Sequence, residues 1–168
     1  MSGRAAQEEV KVPFAVTRDA WRLASIVLAV LGILTASYLS YVKLSGGSAT
    51  MACPAEGQTL LGLPIDCGVV DRSFYSMIGP MPVAVLGLGG YVVILLALLL
   101  EDRVPFLVEY GRLLLFGLTL FGFAFSLYLT WAEIAQIQAF CIWCVASAVL
   151  MTLLFIISVV RLRQSLAS

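Results

Sequence analysis

The chain has 168 residues, ten basic and ten acidic, with a formal net charge of zero and no histidine. It is 61% hydrophobic and 12% charged, where soluble domains are about 45–50% apolar and about 25% charged. That balance excludes a soluble globular domain, the neutral charge offers nothing to a nucleic-acid partner, and the lack of histidine removes heme ligation by His, Cys/His zinc sites and Ser-His or Cys-His catalysis.

In chain order, the first segment, 1–20, is polar and of mixed charge, and reads as a loosely held tail. A membrane-spanning helix needs about 20 mostly apolar residues. Four charge-free runs qualify, at 23–42, 81–100, 113–131 and 141–160. The first is longer than the apolar core of a signal peptide, about 7–15 residues, and reads as a retained span. The expected fold class is therefore an all-α membrane protein, a four-transmembrane-helix bundle forming one domain over 21–160, with a second tail at 161–168. Between the first two spans lies a long loop, 43–80. It is rich in Gly and Pro yet carries Leu60, Leu61, Leu63, Ile65, Val69, Val70, Phe74 and Tyr75. Irregular backbone cannot face lipid unsatisfied, so this loop is expected to lie over the bundle as a lid, with a short horizontal helix near 70–77.

Placement of the basic residues orients the spans. With the N-terminus inside, Arg4, Lys11, Arg18, Arg22, Arg103, Arg112, Arg161 and Arg163 fall on the inner side, and only Lys43 and Arg72 on the outer. The positive-inside rule thus places both termini in the cytoplasm. It also places the chain's four cysteines on the extracytoplasmic face, where disulfides form and persist.

Those cysteines form two pairs. Cys53 and Cys67 sit in the long loop, and Cys141 and Cys144 open the fourth span as Cys-Ile-Trp-Cys. Residues three apart on a helix share a face, at a separation inside the disulfide range of about 4.4–6.8 Å between Cα atoms. A helix N-terminus stabilises a thiolate, the reactive form of cysteine, lowering its pKa from about 8.5. Cys144 lies deeper than Cys141 by about 4.5 Å, at about 1.5 Å rise per residue. A reactive dithiol is the favoured reading over small apolar core residues. A metal site is disfavoured, since the spacing of Cys53 and Cys67 suits no short zinc knuckle and no His can assist. For Cys53 and Cys67 two readings stand side by side, a redox pair and a structural disulfide pinning the loop. Phe121, Phe123, Phe125, Tyr128, Trp143, Phe74 and Tyr75 could stack a planar lipid-soluble ring, although helix packing is the ordinary use of each. Gly87, Gly89 and Gly90 read as close helix packing, and Asp66 and Glu133 as solvated acids.

The ordered set of motifs resembles the vitamin K epoxide reductase family. Its carriers are Cys53, then Cys67-Gly-Val-Val-Asp-Arg-Ser73-Phe-Tyr75, Gly79-Pro-Met-Pro82, Leu86-Gly87 and Tyr91. Ser126-Leu-Tyr128-Leu129 and Cys141-Ile-Trp-Cys144 complete it, across about 31–150. The resemblance implies a bundle holding a quinone, ubiquinone or menaquinone, beside Cys141 and Cys144, with no metal. It implies catalytic roles for Cys53, Cys67, Cys141 and Cys144, with electrons passing from a partner through Cys53/Cys67 to Cys141/Cys144 and on to the quinone from Cys144. Ser73, Phe74, Tyr75, Phe125, Tyr128, Leu129 and Trp143 are the candidate quinone-binding residues.

Two departures refine the expectation. The gap between Cys53 and Cys67 is longer than is usual in the family. Ser147-Ala148-Val149 stands where the animal branch has Thr-Tyr-Ala, pointing to a bacterial homologue in the cell (inner) membrane. Many bacterial members carry a fused thioredoxin-like domain, and the chain ending at Ser168 suggests a separate thioredoxin-like (DsbA-type) extracytoplasmic partner. The expected function is quinone-linked disulfide formation in exported proteins. The alternatives are vitamin K epoxide reduction and a non-enzymatic tetraspan protein with structural disulfides.

Overall fold

The computed structural model describes residues 12–46 and 51–166, with side chains described from residue 20 onward. Four long helices dominate: α1 (Val12–Leu44), α3 (Val83–Leu100), α4 (Pro105–Ala132) and α5 (Ile142–Leu166), with a short α2 (Cys67–Arg72) between α1 and α3. All four long helices contain stretches long and apolar enough to cross a membrane. They pack in a ring, α1 on α3, α3 on α4, α4 on α5 and α5 back on α1.

The helices outrun the apolar windows read from sequence. α1 begins at Val12 instead of near 23, and α4 at Pro105 instead of near 113. Hydropathy marks where charge stops, but a helix continues until its backbone is interrupted. Glu109 and Arg112 are accommodated in the first turns of α4, and Pro105 suits a helix start because its missing N–H is unpaired there anyway. The expected tail at 1–20 lies outside the described residues up to 11 and is helical from Val12.

The core between the helices sets alanines and larger aliphatic side chains around one aromatic ring. Tyr91 is buried among Ala29, Ala36, Ile94, Ala97, Leu98, Leu115, Met151 and Leu154. A Cβ on Gly32 would overlap the Tyr91 ring, and one on Gly122 would come within 2.8 Å of the Met151 sulfur, so these two glycines set the close approaches. Two hydrogen bonds between helices pair polar groups inside the bundle, as an apolar surround favours. The Tyr91 hydroxyl donates to the Ser147 carbonyl at 2.9 Å, tying α3 to α5. Thr119 and Ser158 share a hydrogen bond of 2.7 Å between α4 and α5.

The end of the bundle where α3 meets α4 is charged. Glu101 is buried and receives Arg161 at 2.6 Å, with Arg112 at 3.8 Å, while Arg22 pairs with Asp102.

At the opposite end the long loop lies down as a compact cap, as its apolar content led one to expect. A two-stranded hairpin pairs β1 (Thr59–Leu60) with β2 (Leu63–Pro64). Its turn places Leu61 and Gly62 at φ 52° and 84°, the double left-handed geometry of a tight hairpin. The short helix begins at Cys67, ahead of the expected 70, because the Asp66 side chain accepts from the Val69 N–H at 2.9 Å and caps it there. A 3₁₀ turn (Phe74–Ser76) and a second hairpin, β3 (Met77–Ile78) with β4 (Met81–Pro82), lead into α3.

Candidate active site

The cap is stitched to the start of α5 by backbone. Ile65 and Phe140 form a parallel bridge, the Phe140 N–H donates to the Pro64 carbonyl at 3.0 Å, and the Asp66 N–H donates to the Phe140 carbonyl at 3.0 Å. Cys67 follows Asp66 and Cys141 follows Phe140, so this clip delivers the two cysteines to the same place. Both are buried in one apolar cluster with Val42, Met51, Val70 and Ala139, and Cys53 and Cys144 pack against it. Residues far apart in the chain thus bring all four sulfurs into one core.

Within that core, Cys53 and Cys67 form a disulfide with Cα atoms 5.9 Å apart, and Cys141 and Cys144 are free thiols. The long spacing between Cys53 and Cys67 is taken up by the β1–β2 hairpin. Ile65 returns to donate to the Gln58 carbonyl at 2.8 Å and to accept from Gly57 at 3.2 Å, which closes the loop on itself. The Cys53 strand is held from both sides. The Ala52 N–H donates to the Tyr38 hydroxyl at 3.1 Å, and the Ala52 carbonyl accepts from the Trp143 indole at 2.8 Å. The Tyr38 and Trp143 rings lie 5.0 Å apart.

Cys141 and Cys144 face a cavity of about 430 Å³ between the helices and the cap, within the range of about 300–1,000 Å³ usual for small-molecule sites. The Cys141 thiol, at the mouth of α5, is held below its ordinary pKa range. The main cause is the hydrogen bond from the Cys144 thiol, which outweighs burial. The thiolate is the nucleophilic form of cysteine, and this setting favours it at Cys141.

Of the residues expected to hold a planar ring, Ser73, Tyr75, Phe125 and Leu129 line this cavity. Phe74, Tyr128 and Trp143 do not. Phe74 is 89% exposed, Tyr128 is half exposed and stacks toward Trp131, and Trp143 holds the Cys53 strand. Phe121 also lines the cavity, while Phe123 stacks on Phe155 in the bundle, with centroids 4.9 Å apart.

Two sequence expectations are corrected here. Gly87 and Gly90 line the cavity, and a Cβ at Gly87, Gly89 or Gly90 would meet nothing within 4 Å, so they are not close-packing positions. Their lack of side chains leaves room on the α3 wall instead. Glu133 is not a solvated acid but 4% exposed, at the start of a π-helical turn (Glu133–Ile137) that ends α4. Its carboxylate accepts from the Cys141 N–H at 3.4 Å and lines the same cavity as Cys141 and Cys144. An acid at the end of an apolar span, a few residues before Cys-x-x-Cys, was the signal available in the sequence.

Lys43 belongs to the site as well. It lines the cavity, donates to the Ser76 hydroxyl at 2.9 Å and to the Asp71 carbonyl, and lies 3.5 Å from the Asp71 carboxylate. Among the described residues no group of three or more Cys, Asp or Glu side chains is arranged to hold a metal ion. The chemistry of the walls fits a planar quinone: aromatic and apolar sides, an open glycine face, a few hydroxyl groups and a dithiol at one end.

Fold and site together define a polytopic helical membrane protein with a disulfide and a free dithiol packed into one core. The chain belongs to the vitamin K epoxide reductase family, whose sequence model matches residues 23–159. Vitamin K is itself a quinone, so the family as a whole is quinone-linked. The chain is also similar to the thiol-disulfide oxidoreductase LTO1 of Arabidopsis thaliana, at 34% identity over 139 residues. That match covers 79% of this chain and 35% of the plant protein, so the chain spans about a third of that relative's length.

Proposed function

We propose that this protein is a membrane thiol oxidoreductase that couples disulfide formation in exported proteins to reduction of a quinone. The observation that carries the reading is the single buried cluster. It contains the Cys53–Cys67 disulfide and the Cys141/Cys144 dithiol, and the dithiol alone of the two pairs opens on the cavity. A thioredoxin-like dithiol protein, reaching Cys53 from the cap side, reduces the Cys53–Cys67 disulfide. Cys67 then exchanges with an oxidised Cys141–Cys144 pair, which regenerates the loop disulfide and leaves the dithiol reduced. The bound quinone supplies the two-electron acceptor.

This chain's residues do the rest. Cys144 faces the cavity as electron donor, Cys141 closes the disulfide, and Ser73, Tyr75, Phe125 and Leu129 hold the ring. Each exchange needs a thiolate in line with a disulfide sulfur, so the cap must shift on the Ile65–Phe140 clip during the cycle. The arrangement of disulfide in the loop and dithiol on α5 corresponds to the step after internal exchange.

The proposed setting is a bacterial cell membrane, with both termini cytoplasmic and the cysteines on the extracytoplasmic face. The eight-to-two bias of basic residues supports the orientation, and Ser147-Ala148-Val149 supports the bacterial assignment. The test uses purified full-length protein with a short-chain ubiquinone and dithiothreitol. Cys144→Ala should abolish quinone reduction, whereas Cys53→Ala should keep it, because a small dithiol can bypass the loop pair. Quinone reduction persisting in Cys144→Ala would remove the proposed electron path. In cells, Cys67→Ala should accumulate a mixed disulfide through Cys53 with its thioredoxin-like partner, read by mass spectrometry.

A further inference from the structure

The relay described above moves electrons between sulfurs, but every turn must also move protons. Oxidising the Cys141/Cys144 dithiol breaks two S–H bonds and forms one S–S bond. Two electrons leave to the quinone, which takes up two protons to become the hydroquinone. The cavity is lined mostly by apolar side chains, and a carboxylate in its wall offers a proton carrier built into the protein.

We propose that Glu133 is that carrier, a catalytic proton acceptor for the Cys144 thiol and donor to the ring oxygen; this rests on the quinone-linked reading above. Three observations converge on it. Glu133 is 4% exposed and lines the same cavity as Cys141 and Cys144. Its carboxylate accepts from the Cys141 N–H at 3.4 Å, so it is bonded to the backbone of the reacting pair.

Among the described residues it also has no cationic partner. The lysine of the same cavity, Lys43, is engaged by Asp71 and Ser76. On α2, which packs against the π turn, Asp66 caps its own helix and Arg72 is exposed. The basic residues of α5, Arg161 and Arg163, sit at its far end. A buried carboxylate with no cation beside it has a cost that a purely structural role leaves unexplained. General acid–base groups must come within hydrogen-bond reach of the proton they take, and Glu133 is bonded at the Cys-x-x-Cys turn and lines the same cavity as both thiols.

The proton balance closes without another reagent. Glu133 takes the Cys144 proton as the sulfur gives up its electron pair, passes it to one ring oxygen, and returns to its starting state. The Cys141 proton leaves to water on the cap side, and an equivalent proton from water completes the second hydroxyl.

The experiment uses full-length protein, reduced with dithiothreitol and freed of excess reagent. Two readouts are taken on wild type, Glu133→Gln and Glu133→Asp. Stopped-flow mixing with a short-chain ubiquinone reads single-turnover oxidation, and iodoacetamide alkylation followed from pH 5 to 10 reads the dithiol with no quinone present. Glu133→Gln should slow single-turnover oxidation by about 10²-fold or more, and Glu133→Asp should recover part of it. Alkylation should show two coupled ionisations in wild type and one in Glu133→Gln.

Oxidation by ubiquinone at the wild-type rate in Glu133→Gln would overturn the proposal. So would an unchanged alkylation profile accompanying a slowed reaction, since that marks a structural effect only. Should Glu133→Gln fail to fold, Glu133→Asp carries the same two readouts, and a wild-type alkylation profile with a single ionisation again overturns the proposal. If wild type itself does not reduce ubiquinone, the quinone-linked function fails, and the alkylation profile still decides whether Glu133 shares a proton with the dithiol.

Discussion

Two buried glutamates stand at opposite ends of the bundle, and they are treated in opposite ways. Glu101, where α3 gives way to α4, is ion-paired with Arg161 and faces Arg112. Glu133, where α4 ends, has no such neighbour among the described residues and is hydrogen-bonded instead to the backbone of the Cys-x-x-Cys turn. The same contrast extends to each end as a whole. The Glu101 end pairs its charges and joins three helices. The Glu133 end gathers sulfur, an open cavity and a cap clipped on by a few backbone bonds. A buried charge that is compensated serves architecture; one left facing a thiol is available for chemistry.

Substitutions at the two ends should therefore separate stability from turnover. The largest effect falls on Cys144→Ala, with quinone reduction lost altogether and thermal unfolding little changed, because a small buried side chain replaces another. The reciprocal change is Glu101→Ala. It leaves the part-buried Arg161 without its partner and should lower unfolding stability by about 2–3 kcal/mol, while the protein that remains folded reduces quinone at the wild-type rate. Loss of turnover per folded molecule in Glu101→Ala would dissolve the division between the ends.

Glycine substitutions carry the comparison into the helix interior. Gly90→Leu projects into the cavity, where a Cβ meets nothing within 4 Å. It should raise the KM for a short-chain ubiquinone by about 10-fold, in keeping with the reach of steric discrimination in apolar pockets, with little change in melting temperature. Gly32→Ala does the reverse. Its Cβ runs into Tyr91, and an overpacked core should cost about 1–3 kcal/mol, read as a lower melting temperature. A melting temperature that falls for Gly90→Leu but not for Gly32→Ala would reverse the assignment of wall and core.

The smallest expected change is Trp143→Phe. It keeps the ring beside Tyr38 and deletes the hydrogen bond to the Ala52 carbonyl, worth about 1 kcal/mol. The Cys53 strand should loosen, visible as faster reduction of the Cys53–Cys67 disulfide by dithiothreitol. A rate equal to wild type would show that the Trp143 hydrogen bond does not restrain that strand.

Spans, the cap and the dithiol were all legible in the sequence, because each depends on local composition. A charge-free apolar run has few alternatives to a membrane helix, and a Cys-x-x-Cys at a helix start faces one way by helical geometry. The limits of α1 and α4 were not legible from hydropathy, since Glu109 and Arg112 end an apolar window without ending a helix. Of the proposed ring-binding set, Ser73, Tyr75, Phe125 and Leu129 meet in the cavity, while Phe74, Tyr128 and Trp143 point elsewhere. Aromatic content told which residues could stack, not which way each helix was turned.

What the sequence determined by itself was the class of object: four helices in lipid, a family membership, and two cysteine pairs. What only the tertiary structure decided was how those pairs meet and what else meets them. The Ile65–Phe140 bridge joins segments 75 positions apart and sets Cys67 beside Cys141, and no local pattern encodes a contact of that range. Burial of Glu133 is decided in the same way. Its neighbours in the chain leave it free to face water, and only the closing of the cap and α5 over the end of α4 turns it toward the thiols.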